Sequence, residues 1–374
     1  MTVSTDVLII GAGIAGVSLA HELAASMKVA VVEAEPRAGY HASGRSAALF
    51  SEIYGSPEVR ALTRESRPFY ETPPPGFPAQ LLTPRGVLYV ATEAMRDDLD
   101  RLGADGDVKA STRALNAAEA YARVPILQGV VAALYEPAAT DIDTGALHQS
   151  YLRSARVQGA EVRLDARVER ISRAGRRWSV DTGGGRIEAD ILVNAAGAWA
   201  DGLAELAGLP PVGLSPMRRT ALVIEPPDRV DPRAWPLTIT ADESIYFKPD
   251  AGRLLVSPAD ETPSAPCDAA PEVEDVALAA FRFEALTGRE VRRVVSKWAG
   301  LRTFSRDRNP VVGFDPLAEG FFWLAGQGGY GFQTAPAIAR LAARLIGGKE
   351  AGPLAPAVSP SRFRLAQAAA SINR

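Results

Sequence analysis

The sequence predicts a mixed α/β and α+β protein, with one domain on a doubly wound parallel sheet and a second on a mostly antiparallel β-sheet. Three observations predict it. The chain opens on an apolar run, a glycine-rich turn, an apolar helix pattern and a second apolar run. Patterns of the same style return over residues 146–200 and 321–346. Between them, over 83–92 and 212–260, β-rich runs alternate with proline and glycine turns. Alternating strands and helices imply a parallel sheet, and short strands broken by turns imply an antiparallel one.

The opening is the most informative element. Asp6-Val7-Leu8-Ile9-Ile10 reads as a buried strand and Gly11-Ala12-Gly13-Ile14-Ala15-Gly16 as a turn into a helix. Val29-Ala30-Val31-Val32-Glu33 reads as a second strand ending in an acid. This is a Rossmann-like unit, G-x-G-x-x-G with a carboxylate about 20 residues on. Gly11 permits the turn, Gly13 lets a pyrophosphate approach the helix N-terminus, and Gly16 lets the helix pack on the strand. Glu33 is placed to hold an adenosine ribose. The motif leaves NAD and FAD both open. The absence of an arginine directly after Glu33 argues against NADP.

Bulk properties narrow the class. The chain has 374 residues, enough for two to three domains, and a net charge of −3. That balance gives no electrostatic case for nucleic acid or an anionic membrane surface. A single cysteine, Cys267, excludes an internal disulfide framework and cysteine-type metal clusters, and His21, His41 and His148 are too scattered for a metal site. No metal is expected. The apolar run over residues 7–20 is interrupted by the turn and is shorter than the roughly 20 residues a membrane span needs. The start carries no basic leader, so the reading is a cytoplasmic protein with no integral membrane segment.

Two later clusters bear on a ligand. Asn194-Ala195-Ala196-Gly197-Ala198-Trp199 ends a strand in small residues. Taken alone, it serves either close packing or close approach of a ligand to backbone. Phe321-Phe322-Trp323-Leu324-Ala325 is followed by a glycine loop over 326–334 and a helix through Ile338, Leu341 and Leu345. That loop is either an Ω-type surface loop or a helix N-terminus aimed at a ligand. The pieces divide into a nucleotide domain over 1–82, 140–211 and 303–374, and a substrate domain over 83–139 and 212–302.

Together these residues resemble the D-amino acid oxidase family of FAD flavoproteins over nearly the whole chain. The resemblance rests on the opening motif with Glu33, residues 39–48, the strand end 194–199, Ala299-Gly300-Leu301-Arg302 and Gln327-Gly328-Gly329-Tyr330-Gly331. Residues 139–144 and 242–250 are similar to the D-arginine dehydrogenase subgroup in particular. The resemblance implies non-covalent FAD. By matching position, Gly11, Gly13, Ile14, Ala15, Gly16, Glu33 and Ala34 hold the adenosine diphosphate half, and Val168 lies near the adenine. Arg45, Ser46 and Ala47 lie near the diphosphate and flavin, with Ala196, Gly197 and Trp199 along the cofactor chain. Gly328, Gly329, Tyr330, Gly331, Phe332 and Gln333 lie by the flavin ring, and Arg302 touches both cofactor and substrate.

An amino acid substrate brings a carboxylate, for which arginine's planar fork is the natural clamp. Arg302 and Arg219 match the family's substrate positions. Adjacent strand residues face opposite sides, so only one of Arg218 and Arg219 faces the site. Without the resemblance, an isolated arginine reads as a surface charge. Alternation puts Ile245 and Phe247 on one strand face and Tyr246 and Lys248 on the other. Tyr246, Tyr54 and Gly329 complete the expected catalytic set, although either tyrosine alone also reads as core.

The implied reaction is oxidative deamination of a D-amino acid to a 2-oxo acid and ammonia. The carboxylate is fixed, the amine is neutral, and Cα gives a hydride to the flavin. Val87 and Leu49 stand where arginine-preferring members carry an acid and a histidine. Neutral or hydrophobic side chains are therefore expected. Only one nucleotide motif is present, which leaves oxygen or a quinone-type carrier as electron acceptor. The alternatives are an oxidase of secondary amines or 2-hydroxy acids, or a non-catalytic FAD-binding subunit.

Overall fold

Strand Thr2–Ile10 is the axis of the first sheet because both of its faces are covered. Val7, Leu8 and Ile9 are fully buried. Val7 and Ile9 pack into one core with Leu19, Leu147 and Ile338, while Leu8 and Ile10 pack into the opposite core with Leu192, Leu203 and Trp323. A strand buried on both sides reads as a continuous apolar run, as this one does. We describe residues 2–227, 230–350 and 352–364 of a computed structural model of the chain. The expected third nucleotide segment runs to 374, so its last part, 365–374, lies outside the described residues.

Thr2–Ile10 pairs in parallel with Val29–Val32 on one side and Gly185–Asn194 on the other. Glu161–Arg163 extends the sheet in parallel beyond Val29–Val32. The later half of Gly185–Asn194 pairs in parallel with Phe321–Ala325. Its earlier half continues antiparallel into Arg177–Thr182 and Val168–Ala174. Helix Ile14–Leu23 packs against helices Thr144–Val157 and Gly331–Ile346 on one face. The chain is thus α/β in this part, as its pattern predicts.

The second sheet runs in the order Thr262–Pro263, Ser215–Ile224, Arg253–Ser257, Tyr246–Asp250, Leu237–Thr240, Val87–Thr92, Val130–Glu136 and Arg113–Asn116. Val294–Phe304 pairs antiparallel along Ser215–Ile224. All these pairings are antiparallel except Leu237–Thr240 with Val87–Thr92. A third, small sheet joins Leu49–Phe50, Thr140–Ile142 and Leu82–Pro84. Sequence reading missed this sheet, which crosses the expected boundaries at 82/83 and 139/140. It also missed helices Pro57–Glu71 and Val273–Thr287. The first had a signal: Ser56 caps it, accepting from the Val59 N–H at 3.2 Å, with Pro57 at the first helical position.

The glycine turn is built by contact as well as by conformation. Gly11 has φ +106°, a region that disfavours any side chain. A Cβ on Gly16 would sit 1.9 Å from the Gly11 carbonyl oxygen, so only glycine lets the helix close on the turn. Gly16→Ala should cost about 3 kcal/mol of stability, or block folding, because the backbone it meets cannot yield. A urea midpoint equal to that of the parent protein would contradict this close-approach argument.

Candidate functional site

The cavity between the two large sheets has a volume of about 1100 Å³. The first sheet contributes the strand ends and their loops: Gly11, Gly13, Ile14, Ala15, Glu33, Ala34, Val168, Ala196, Gly197 and Trp199. The second contributes Val87, Tyr89, Arg219, Leu237, Ile239, Tyr246 and Arg302. Arg45, Ser46, Ala47, Leu49 and Tyr54 line it from the chain over 45–54, and Gly328, Gly329, Tyr330, Gly331 and Phe332 from the carboxyl-terminal glycine loop. Two residues named for the cofactor are placed elsewhere. Gly16 lies behind the turn. Gln333 faces the interior, 2 % exposed, where its Nε2 donates to Thr63 Oγ1 at 2.9 Å.

The cavity receives two helix N-termini. Helix Ile14–Leu23 starts after Gly13, with no side-chain cap at that residue and no acid in its first turn. Ser43, which no motif singles out, accepts from the Ile14 N–H at 2.9 Å. Helix Gly331–Ile346 starts after Tyr330, again with neither side-chain cap nor first-turn acid. Such ends leave N–H groups and positive dipole ends for an anion. A Cβ on Gly13 would meet only the Ser43 hydroxyl, at 3.2 Å, so backbone is open to a ligand there.

Glu33 is tied to the turn. Its Oε2 accepts from the Ala12 N–H at 2.8 Å and its Oε1 from the Glu35 N–H at 3.1 Å. Each oxygen keeps a further lone pair for a hydroxyl. Below the turn, His148 is buried, with its Nε2 2.9 Å from the Ala12 carbonyl oxygen. Burial lowers its pKa and keeps it neutral, so it donates there. Arg45 lines the cavity, but its guanidinium is committed: Nη1 donates to the carbonyls of Ala269 and Ala299, and Nη2 pairs with Asp268.

The arginines at the second sheet differ sharply. Arg218 faces away from the cavity and pairs with Asp275 and Glu272, as strand alternation requires. Arg219 faces in, with Nε donating to the Asp260 carbonyl at 2.8 Å and Nη2 3.2 Å from Glu261. Arg308 takes both oxygens of the same Glu261. Arg302 pairs with no carboxylate among the described residues. Its Nη1 donates to the Tyr54 hydroxyl at 3.3 Å. Gly329 lies against it, since a Cβ there would be 3.0 Å from Arg302 Nη1.

Charge in this corner is uneven. Burial works against the Arg302 cation, but the oxygens of Tyr54, Tyr246 and Tyr330 outweigh it and raise its pKa. Burial would raise the Tyr246 phenol, yet the Arg302 and Arg219 guanidinia lower it. Tyr330 is pushed up to about 12, first by burial and then by Tyr54. The corner therefore presents the Arg302 cation, framed by phenols, with no carboxylate paired to it among the described residues. Tyr89 was missed but was legible: it shares a strand face with Val87, two residues away.

These features are those of a dinucleotide-dependent redox enzyme. The residues suit FAD: two helix N-termini with no acid in their first turns, an open backbone at Gly13 and one continuous cavity serve a cofactor with a diphosphate and an extended ring. Residues 6–345 match the family described as DAO, FAD dependent oxidoreductase, and the chain belongs to that family. It is 29% identical to a glycine oxidase of Pseudomonas aeruginosa, over 96% of this chain and 98% of that one. The crystal structure of glycine oxidase from Geobacillus kaustophilus superposes with a TM-score of 0.82 at 26% identity, over 94% of this chain and 97% of that one. The fold is also that of L-proline dehydrogenase from P. horikoshii, with a TM-score of 0.82 at 22% identity over 98% and 99% of the two chains.

The expected D-arginine dehydrogenase subgroup is not what these relatives indicate. The two stretches that carried that likeness hold each other: Lys248 Nζ lies 2.7 Å from Asp141, which Arg85 also binds at 2.7 Å. No helix among the described residues is long and apolar enough to cross a membrane.

Two outcomes follow from the geometry. Gly13→Ala should fold normally but bind FAD about tenfold more weakly, or about 1.4 kcal/mol, read from flavin retention on dilution. Arg302→Met should raise the Tyr246 pKa, because it removes one of the two guanidinia that lower it. Alkaline ultraviolet difference titration against Tyr246→Phe reads that shift, and an unmoved transition would refute the electrostatic account.

Proposed function

We propose that this enzyme oxidises a small amine that carries a carboxylate, of the glycine or N-substituted glycine type. The observation that carries the reading is Arg302, a guanidinium in the cavity that pairs with no carboxylate among the described residues. The glycine oxidase relatives support it. In this reading Arg302 takes the substrate carboxylate bidentately and Arg219 supports it from the neighbouring strand. Tyr54 and Tyr246 orient the bound carboxylate, and Gly329 leaves the space it occupies.

FAD would be held by the turn over 11–16 with Glu33 and Ala34, by Arg45, Ser46, Ala47, Val168, Ala196, Gly197 and Trp199, and by the loop over 328–332, and it would supply a two-electron oxidant for the Cα–H bond. The chain's own contribution is to fix the carboxylate, aim Cα and keep water from the corner. The unit over 1–82, 140–211 and 303–374 serves the cofactor, and that over 83–139 and 212–302 the substrate.

A second reading is deamination of D-amino acids with neutral or hydrophobic side chains. Val87, Leu49, Leu237 and Ile239 favour it, because they give the cavity an apolar wall beyond what glycine fills. Anaerobic flavin bleaching by glycine, sarcosine and paired D- and L-amino acids ranks the two readings. Failure of every amine to bleach the flavin would leave a non-catalytic FAD-binding subunit. Formaldehyde and glycine from sarcosine would exclude attack at the carboxylate-bearing Cα, whereas methylamine and glyoxylate fit it. Molecular oxygen is the proposed acceptor, and dye reduction without hydrogen peroxide would favour a quinone-type carrier. Arg302→Met should lower kcat/KM about 100-fold, or ~2.7 kcal/mol, while retaining FAD.

A further inference from the structure

The second sheet buries a carboxyl group for which the reaction so far has no use. Glu136 ends strand Val130–Glu136, is 2 % exposed, and pairs in register with Val87 of the cavity wall. It has no ion pair with a cation among the described residues. Its Oε2 accepts from the Ser51 hydroxyl at 2.8 Å, and the Glu52 backbone N–H reaches the same carboxyl. Ser51 and its neighbour Tyr89 both line the cavity. The contact between Ser51 and Glu136 is therefore a two-residue path from the cavity to a buried proton acceptor.

The proposed substrate needs such an acceptor. An aliphatic ammonium is charged at neutral pH, and its nitrogen has no lone pair to release as hydride leaves Cα. Other acids at the cavity are committed or exposed. Glu33 is held by two backbone N–H groups, Glu261 by Arg219 and Arg308, and Glu35 by His41. Glu243 is exposed.

We propose that Glu136, acting through the Ser51 hydroxyl, accepts the proton that the substrate ammonium must lose before oxidation. This rests on the amine–carboxylate reading above. One N–H bond of the ammonium breaks, and Ser51 Oγ takes that proton as it gives its own to Glu136 Oε2. The nitrogen regains its lone pair, Glu136 becomes the neutral acid, and Ser51 is unchanged. The proton returns to water by the same path once product has left.

The surroundings of Glu136 suit this exchange. Burial raises its pKa to about 7, opposed by Ser51, the Glu52 N–H and Arg67, and assisted by the Glu52 carboxylate. Arg67 is itself bound to Glu52 and Glu71, so it does not neutralise Glu136. Tyr89 faces the group from the adjacent strand, and burial keeps that phenol protonated. Glu243 acts on Tyr89 from the far side.

The test uses the FAD-loaded enzyme and 2-aminoisobutyrate, which has the carboxylate and ammonium but no Cα–H to lose. At about pH 8 the free Glu136 is ionised, so binding should produce the infrared carbonyl band of a protonated carboxyl group. The band should be absent in Glu136→Gln and in Ser51→Ala, and should return in Ser51→Thr. With an oxidisable amine, anaerobic flavin reduction at about pH 7 should fall about 100-fold in either deficient variant and recover above the amine's own pKa. Saturable binding without the band, or a rate loss independent of pH, overturns the proposal and leaves the amine–carboxylate reading standing. No binding at all overturns both. Ser51→Ala carries the test alone should Glu136→Gln not fold.

Discussion

The contact of Gly16 with the Gly11 carbonyl is the constraint on which the rest of the cavity depends. It closes helix Ile14–Leu23 onto strand Thr2–Ile10 and so aims the helix N-terminus over the strand end. Once that end is fixed, Ala12 can donate to Glu33, and Ile14 to Ser43. The carbonyl of Ala12 is then left to His148 beneath it. A few tenths of an ångström more between helix and strand would lengthen all these hydrogen bonds together.

The second sheet is held to this turn by polar side chains, one of which, Arg45, is expected from the sequence at the cofactor. Arg45 follows Ser43 closely, and its guanidinium reaches two carbonyls and a carboxylate across the cavity wall, while its own carbonyl accepts from Trp298 Nε1. Close by, Asp141 gathers Arg85 and Lys248, joining the small sheet to the large one. These charges are partly buried and mutually satisfied. They set where Arg302 stands relative to the glycine turn.

What was legible in the sequence was periodic or local. The βα turn announces itself within a few dozen residues, and strand alternation separates Arg219 from Arg218 and Tyr246 from Phe247 without a structure. Gln333 was misplaced because a helix that begins at a loop turns each successive residue by about 100°, so a site at Gly331 and Phe332 does not extend to the next position. Residues 139–144 and 242–250 point to a subgroup that the relatives do not indicate, and in this fold the two stretches are joined through Asp141 and Lys248. The Ser51–Glu136 contact was not legible, because 85 residues separate partners that only the sheet register brings together.

The unpaired state of Arg302 follows from how Glu261 is used. That carboxylate could compensate one cation of the corner, but it is shared between Arg219 and Arg308. Removing a guanidinium from water is unfavourable, and here the oxygens of Tyr54, Tyr246 and Tyr330 offset that cost without a carboxylate. In the proposed reading, that leaves Arg302 free to take the substrate carboxylate. A zwitterion then satisfies Arg302 but carries its ammonium into a cavity whose lining includes the apolar Val87 and Leu49. An apolar wall tolerates a neutral amine far better than a cation. On that reading, the arrangement that would bind the carboxylate would also favour loss of the nitrogen's proton, the form of the ligand that can be oxidised.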